Sequence, residues 1–244
     1  MRAWDPRVCE RSAAFWPLRD AVAAFADCNA WPGVDDYAAA FQTPPPIRFE
    51  PARPRPRRGP RWQPDPKDRY DGRIHLARAV PTRRQNWHDF FNALVWATFP
   101  RAKWQLHGRQ FYAARDTPGM RSREQDALTL LDEGGIVLLC RAAHEEGLRA
   151  ALARRADEDV AELLRARAAL ALIFGHALYD HLANHGGPVR GMVAVVTQES
   201  LPLDPRACVE GADAGLAALL ARGDSFQKPA GQGSLPLYLP LPPP

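Results

Sequence analysis

The sequence predicts a mixed α/β fold, with α+β as its variant: a small sheet with helices packed on it, beside an N-terminal helical and irregular region. Three observations carry this. Apolar runs at 136–140, 170–174 and 192–197 have the length of buried strands. Segments of helical period separate them, which favours a parallel sheet with crossover helices. Proline clusters interrupt the rest. The expected organisation is one domain over 1–244, with a proline- and arginine-rich loop at 51–69 and an extended proline-rich tail at 234–244.

Each element has its own signal. Residues 15–27 read as a helix because Leu18, Val22 and Phe25 recur at helical spacing, and 34–41 as a shorter one. The Thr43-Pro44-Pro45-Pro46 run breaks the chain, and Ile47, Arg48 and Phe49 suit a strand. Residues 51–69 hold six prolines, which excludes regular structure there. Ile74 and Leu76 alternate with polar neighbours, so 72–79 reads as a strand. Residues 87–99 form the central helix, with Asn86 as N-cap and Asp89 placed to answer it as in a capping box. Pro100 stops that helix and precedes the next, over 101–115. Ser122 opens a helix to about Leu131, and Asp132-Glu133-Gly134-Gly135 reads as the turn into the first core strand. A helix from about His144 to Ala168, broken near Asp157, leads to the second strand. Gly175 and His176 open a helix closed by Gly186-Gly187-Pro188, and residues 212–221 form the last helix.

Composition narrows the function classes. No apolar run approaches the ~20 residues of a membrane span, and residues 1–6 hold no apolar signal core. The four cysteines match neither CxxC nor a zinc spacing. The expectation is a reduced, cytoplasmic protein with no membrane partner. The net charge is +4, yet only Lys67, Lys103 and Lys228 are lysines. Residues 48–109 hold 15 basic and 5 acidic groups, so that stretch carries +10 and the remainder −6. Such a stripe suits a nucleic acid or a small anionic substrate, although solvated arginines in a proline-rich loop explain much of it.

Three clusters can carry chemistry. The first is the segment RRQNWHDFFNALVW (residues 83–96), which places Asn86, His88, Asp89 and Asn92 in an aromatic helix. Buried without partners, such groups cost several kcal/mol each, roughly. Capping accounts for Asn86 and much of Asp89. His88 and Asn92 share a face one turn apart, as ligand or general base and its orienter. The second cluster is His176 with Asp180 four residues on, a spacing at which both can bind one metal or the carboxylate can fix the imidazole tautomer. His181 and His185 repeat that spacing on a face that reads as solvent-exposed. The third comprises Asp126, Asp132 and Glu133, carboxylates suited to acid–base work or a divalent cation. Arg83, Arg84, Arg101, Lys103 and Arg109 are candidates for an anion cradle, each with an ordinary surface role as its alternative.

Strand direction decides whether these clusters can meet. If 136–140 and 170–174 run parallel, Asp132 and His176 lie at opposite strand ends, roughly 15–20 Å apart at ~3.3 Å per residue. One site containing both requires antiparallel pairing. Several reaction classes lack their motifs: there is no GxxxxGKS/T, no GxGxxG after a strand, no HExxH and no GxSxG.

The runs YDGRIHLARAVPTRRQNWHDFFNALVWATFPRAKWQLHGRQ (70–110), REQDALTLLDEGG (123–135) and FGHALYD (174–180) resemble the bacterial family called domain of unknown function 3025. The resemblance follows the family's order over roughly 70–200. It implies that the three clusters form one recurring constellation and implies nothing about substrate or cofactor. Asp180 stands where the family is expected to carry glutamate, which keeps the carboxylate and shortens its reach. The proline-rich tail also departs from the family's usual ending.

The leading expectation is an uncharacterised enzyme, a metal-assisted hydrolase acting on an anionic or phosphorylated substrate. Its catalytic candidates are His88, Asp89, Asn92 and His176. Its metal-ligand candidates, for a divalent cation, are His88, Asp126, Asp132, His176 and Asp180. Its substrate-holding cations are Arg83, Arg84, Lys103 and Arg109. The alternative is a non-catalytic binding or scaffold protein, with nucleic acid held by the arginine-rich loop.

Overall fold

A computed structural model describes residues 3–43, 45–52, 65–117, 120–186, 189–227 and 233–237. Strand β3 (Gly135–Arg141) lies at the centre of a four-stranded sheet. Its neighbours are β4 (Ala169–Ile173) on one side and β5 (Arg190–Gln198) on the other, with β6 (Ser234–Pro236) beyond β5. Every residue of β3 except Arg141 is buried, which is why the run from Gly135 to Cys140 is apolar without alternation. A separate two-stranded parallel sheet pairs β1 (Arg48–Pro51) with β2 (Ala79–Thr82).

The pairing directions correct the expected parallel sheet. β5 does run parallel to β3, with Ile136 opposite Val193. β4 runs antiparallel, with Ile136 opposite Ile173 and Cys140 opposite Ala169. The cause lies in the connection. A single helix would carry the chain back to the start of β3, whereas two helices, α6 (Glu145–Arg154) and α7 (Asp157–Arg165), return it to the end it left. The reversal is made at Arg155, which adopts the left-handed region at φ 54°. Ile173, the last residue of β4, therefore sits beside the first residues of β3.

The helices follow their caps. In α3 (Trp87–Thr98), the Asn86 side chain accepts a hydrogen bond from Asp89 N at 3.1 Å, a cap that stabilises a helix by ~1 kcal/mol. Pro100 occupies the first turn of α4 (Pro100–Asp116), where a missing N–H costs nothing. Ser122 and Gln125 form a complete capping box at the start of α5 (Arg123–Gly134). α8 (His176–Asn184) follows β4, and α9 (Pro205–Ala221) packs along α4.

Three further expectations change. Residues 72–79 are not a strand: α2 (Tyr70–Ala77) is a helix that buries Ile74 and leaves Leu76 58% exposed. Two apolar residues two apart fit either period, and β2 begins only at Ala79. The 15–27 helix is a 3-10 turn over Ala13–Leu18 leading into the short α1 (Arg19–Ala23), since Pro17 has no N–H for an α-helical ladder. The expected turn at Asp132 is instead the last turn of α5. Most of the arginine-rich loop (53–64) and the end of the tail (238–244) lie outside the described residues. No helix among the described residues is long and apolar enough to cross a membrane.

Candidate metal centre

Two helices begin side by side, and each brings a histidine in its first turn. Phe91 of α3 stacks on Tyr179 of α8 with ring centroids 6.0 Å apart, and Phe15 closes on Tyr179 at 5.3 Å. The Tyr179 hydroxyl donates to Ile173 O at 2.7 Å, tying α8 to the strand before it. This packing brings His88 Nε2 to 3.0 Å from His176 Nε2. The antiparallel β3–β4 pair adds the end of α5. Gly175 presses on that end so closely that a Cβ would lie 2.5 Å from Glu133 O and Gly134 N, so no larger residue fits. Glu133 Oε2 then lies 3.5 Å from His176 Nε2 and 3.7 Å from His88 Nε2.

Hydrogen bonding fixes which nitrogen of His176 is free. Its Nδ1 lies 2.8 Å from Asp132 O, a carbonyl that only accepts, so Nδ1 carries the proton. Burial pushes His176 down to about 3, with Lys103 and His88 adding to the shift against Asp132. The ring is thus neutral at pH 7, and its Nε2 lone pair points at His88 and Glu133. A carbonyl holding the far nitrogen of a ligating imidazole is the usual outer-shell partner at metal sites.

A cation fits among the three groups. Zinc binds nitrogen and carboxylate oxygen at ~2.0–2.2 Å, which places tetrahedral ligand atoms ~3.4 Å apart. The separations of 3.0, 3.5 and 3.7 Å bracket that value. Among the described residues, no other three histidine, cysteine or carboxylate groups converge this way. The side chains of Glu133 and His88 are 42% and 29% exposed, so the centre opens to solvent, whereas His176 at 4% forms its floor. Burial, with Asp132 and Asp89, raises the Glu133 carboxyl above its ordinary value, and His88 and Lys103 oppose the rise.

Beneath the centre lies a buried polar network. Lys103 is fully buried, and its Nζ donates to Asp132 Oδ1 at 2.5 Å and Asn92 Oδ1 at 2.8 Å, 5.4 Å from the centre of the Trp96 ring. Burial would raise the Asp132 carboxyl, but the Lys103 charge, with His107 and His176 nearby, holds it well below the usual carboxylate range. Asn92 Nδ2 donates to the Tyr70 hydroxyl at 3.0 Å. His107 stacks on Trp96, pairs through Nδ1 with Asp71 at 2.8 Å, and stands 4.0 Å from Asp132 Oδ2 through Nε2.

The expected site residues divide. His88 and His176 meet, and Asn92 and Asp132 lie directly behind them. Asp89 does not answer Asn86 as a capping box would. Its carboxylate accepts from Arg83 N at 2.6 Å, Nε at 3.0 Å and Nη2 at 2.7 Å, and these bonds raise Arg83 above its ordinary value. Asp180 accepts from Asn184 at 2.5 Å and is not among the three groups that converge. Asp126 pairs with Arg121 at the exposed start of α5. The four substrate-holding cations do not form one cradle. Lys103 is sealed in the network, Arg83 is engaged by Asp89, and Arg84 is exposed. Arg109 binds Glu124 and the carbonyls of Leu220, Arg222 and Ser225, which fastens α4 to the end of α9. Arg101 offers its backbone N–H to Asp213.

Glu133 is one of the α5 carboxylates the sequence marks as suited to a divalent cation, though outside the metal-ligand set expected from it; Tyr70, Asp71 and His107 as partners were not expected. The Lys103–His107 spacing of one turn on α4 was the available signal for His107. A cleft of about 590 Å³ lies elsewhere, lined by Trp16, Arg101, Arg206 and Asp213 among others, and none of the three converging groups lines it.

The family described as "Protein of unknown function (DUF3025)" matches residues 61–241. The chain belongs to this family. The matched span takes in His88, Glu133 and His176 as well as the whole polar network, so the centre lies within the DUF3025 region. No curated protein and no solved structure matches the chain.

Proposed function

We propose that this DUF3025 protein is a metal-assisted hydrolase in which His88, His176 and Glu133 hold one divalent cation, zinc by its donor set. The observation that carries the reading is the convergence of three ligating atoms with the His176 tautomer fixed from behind. Two imidazoles and a carboxylate leave a tetrahedral ion one open position, as in catalytic zinc sites. Bound zinc supplies a Lewis acid and lowers the pKa of its water to ~7. The chain's own contribution is orientation. Asp132 O aims His176, Asn86 and Asp89 set the start of the helix carrying His88, and Gly175 lets Glu133 close on both. Asp89 and Asn92 act through Arg83 and Lys103 respectively and do not touch the cation. An anion cradle of Arg83, Lys103 and Arg109 has no support in the geometry.

Elemental analysis and calorimetric titration with Zn²⁺ test the centre. One equivalent should bind, and His88→Ala, His176→Ala and Glu133→Gln should each weaken binding by at least about tenfold, the scale seen when even outer-shell partners are lost. Nitrophenyl esters and phosphoesters should turn over only with the metal and not in His176→Ala. No stoichiometric binding overturns the centre, and binding without turnover of either probe class overturns the hydrolase.

A further inference from the structure

The hydrogen-bond chain behind His176 ends at a phenol. Lys103 has only donors, so the oxygen of the Asn92 amide must face it, and the amide nitrogen is left to face Tyr70. Asn92 therefore donates and the Tyr70 oxygen accepts. The phenolic proton is not used in that bond, and no acceptor for it is found among the described residues. Asn92 lies one turn along α3 from His88 on the same face, so the hydroxyl is bonded to the residue next along that face from a histidine of the candidate centre. Tyr70 as a whole residue is 40% exposed, while its hydroxyl end is buried. Burial of the hydroxyl, with Asp132, raises its pKa well above the ordinary value, so it stays a donor at neutral pH.

Lys103 is the common anchor. Through Asp132 it fixes the residue whose carbonyl aims His176, and through Asn92 it fixes the direction of Tyr70. A metal ligand and a hydrogen-bond donor are thus held in one rigid frame, the arrangement that recognises an oxygen anion bound to the metal.

We infer that Tyr70 contacts the ligand of this centre, donating its hydroxyl hydrogen bond to an oxyanion group coordinated to the metal. The inference rests on the proposed metal centre, and it places oxyanion recognition on a phenol rather than on arginines. The probe is acetohydroxamate, a small oxyanion chelator, titrated into the Co²⁺-loaded protein and followed by visible absorption. Tyr70→Phe keeps the ring against His107, whose centroid is 5.7 Å away, and removes only the hydroxyl. The variant should bind Co²⁺ with the wild-type affinity and spectrum, and bind acetohydroxamate roughly tenfold to a hundredfold more weakly, the range for a hydrogen bond to a charged group. Equal acetohydroxamate affinity in the two loaded proteins overturns the role of Tyr70, as does a loss of Co²⁺ affinity in the variant. Failure of the wild type to bind Co²⁺ overturns the metal centre itself.

Discussion

Two seams of the molecule each bury an aspartate, and the two behave oppositely. Where α5 meets α8, Asp132 is 7% exposed; where α4 meets α9, Asp213 is 4% exposed. Burial alone would raise both carboxyls. Asp132 is held well below the usual range because Lys103 stands against it, with His107 and His176 nearby. Asp213 is raised to about 6, because burial is opposed only by the N–H groups of Ala102 at 2.8 Å and Arg101 at 3.3 Å and by the Arg101 charge. The helix N-terminus offers about half an elementary charge, too little to offset desolvation. A buried carboxylate's state is set by whether a full charge is paired directly with it, as Lys103 is with Asp132, not by depth. The difference also separates purposes. Asp213 is fully explained as the acceptor for the first turn of α4. Asp132 caps nothing, and its network adjoins the candidate metal centre.

The largest effect is expected at Lys103. Lys103→Met would leave Asp132 buried opposite two imidazoles 4.0 Å away, beyond hydrogen-bond range. Removing one partner of a buried pair costs about 3–5 kcal/mol, and denaturant unfolding should show a loss of that size. Adding Asp132→Asn should recover part of it, since the uncompensated charge disappears. A loss below about 1 kcal/mol would make the network ornamental and erase the contrast with Asp213.

Asp213 should respond with the opposite sign. Its folded pKa of about 6 lies above the unfolded value of 3.8. Its contribution to stability is therefore fully present below pH 3.8 and is lost as pH rises through about 6. By linkage the loss reaches up to about 3 kcal/mol at neutral pH. Asp213→Asn keeps an oxygen acceptor and removes the titration. Its stability relative to wild type should rise between pH 4 and pH 7. A flat difference over that window would show that the seam compensates the charge after all.

How much of this could be read in the chain depends on how local each signal is. Asn86, Pro100 and Ser122 act within four residues of themselves, and each marks its helix start as the sequence suggests. Ile74 and Leu76 mislead because a two-residue alternation carries no period. The direction of β4 is the instructive miss. The break near Asp157 is visible in the sequence, and two helices in succession imply a return to the same end of the sheet. Reading the connection as one crossover hid the antiparallel pairing, and with it the meeting of His176 with the end of α5. Choosing Glu133 over Asp132 needs the rotation of the last turn of α5 relative to α8. The contact of Gly175 against Gly134 sets that rotation, and no local pattern encodes it.

The smallest expected effect separates the carboxylates of α5 from one another. Asp126 and Glu133 lie seven residues apart, two turns, on one helix. Asp126 forms an exposed ion pair with Arg121, their side chains 48% and 57% accessible. Such pairs contribute ~0–1 kcal/mol, because solvent screens the attraction and ordering two long side chains costs entropy. Asp126→Asn should therefore shift stability by less than about 1 kcal/mol and leave Zn²⁺ affinity unchanged. Glu133→Gln should leave the fold equally intact while weakening the metal. Paired melts and zinc titrations of the two variants read this directly. If Asp126→Asn also lost zinc, the cation would lie toward the start of α5, outside the two-histidine centre. If neither variant lost zinc, the carboxylate arm of the centre would be wrong, and His88 and His176 would be only a hydrogen-bonded pair.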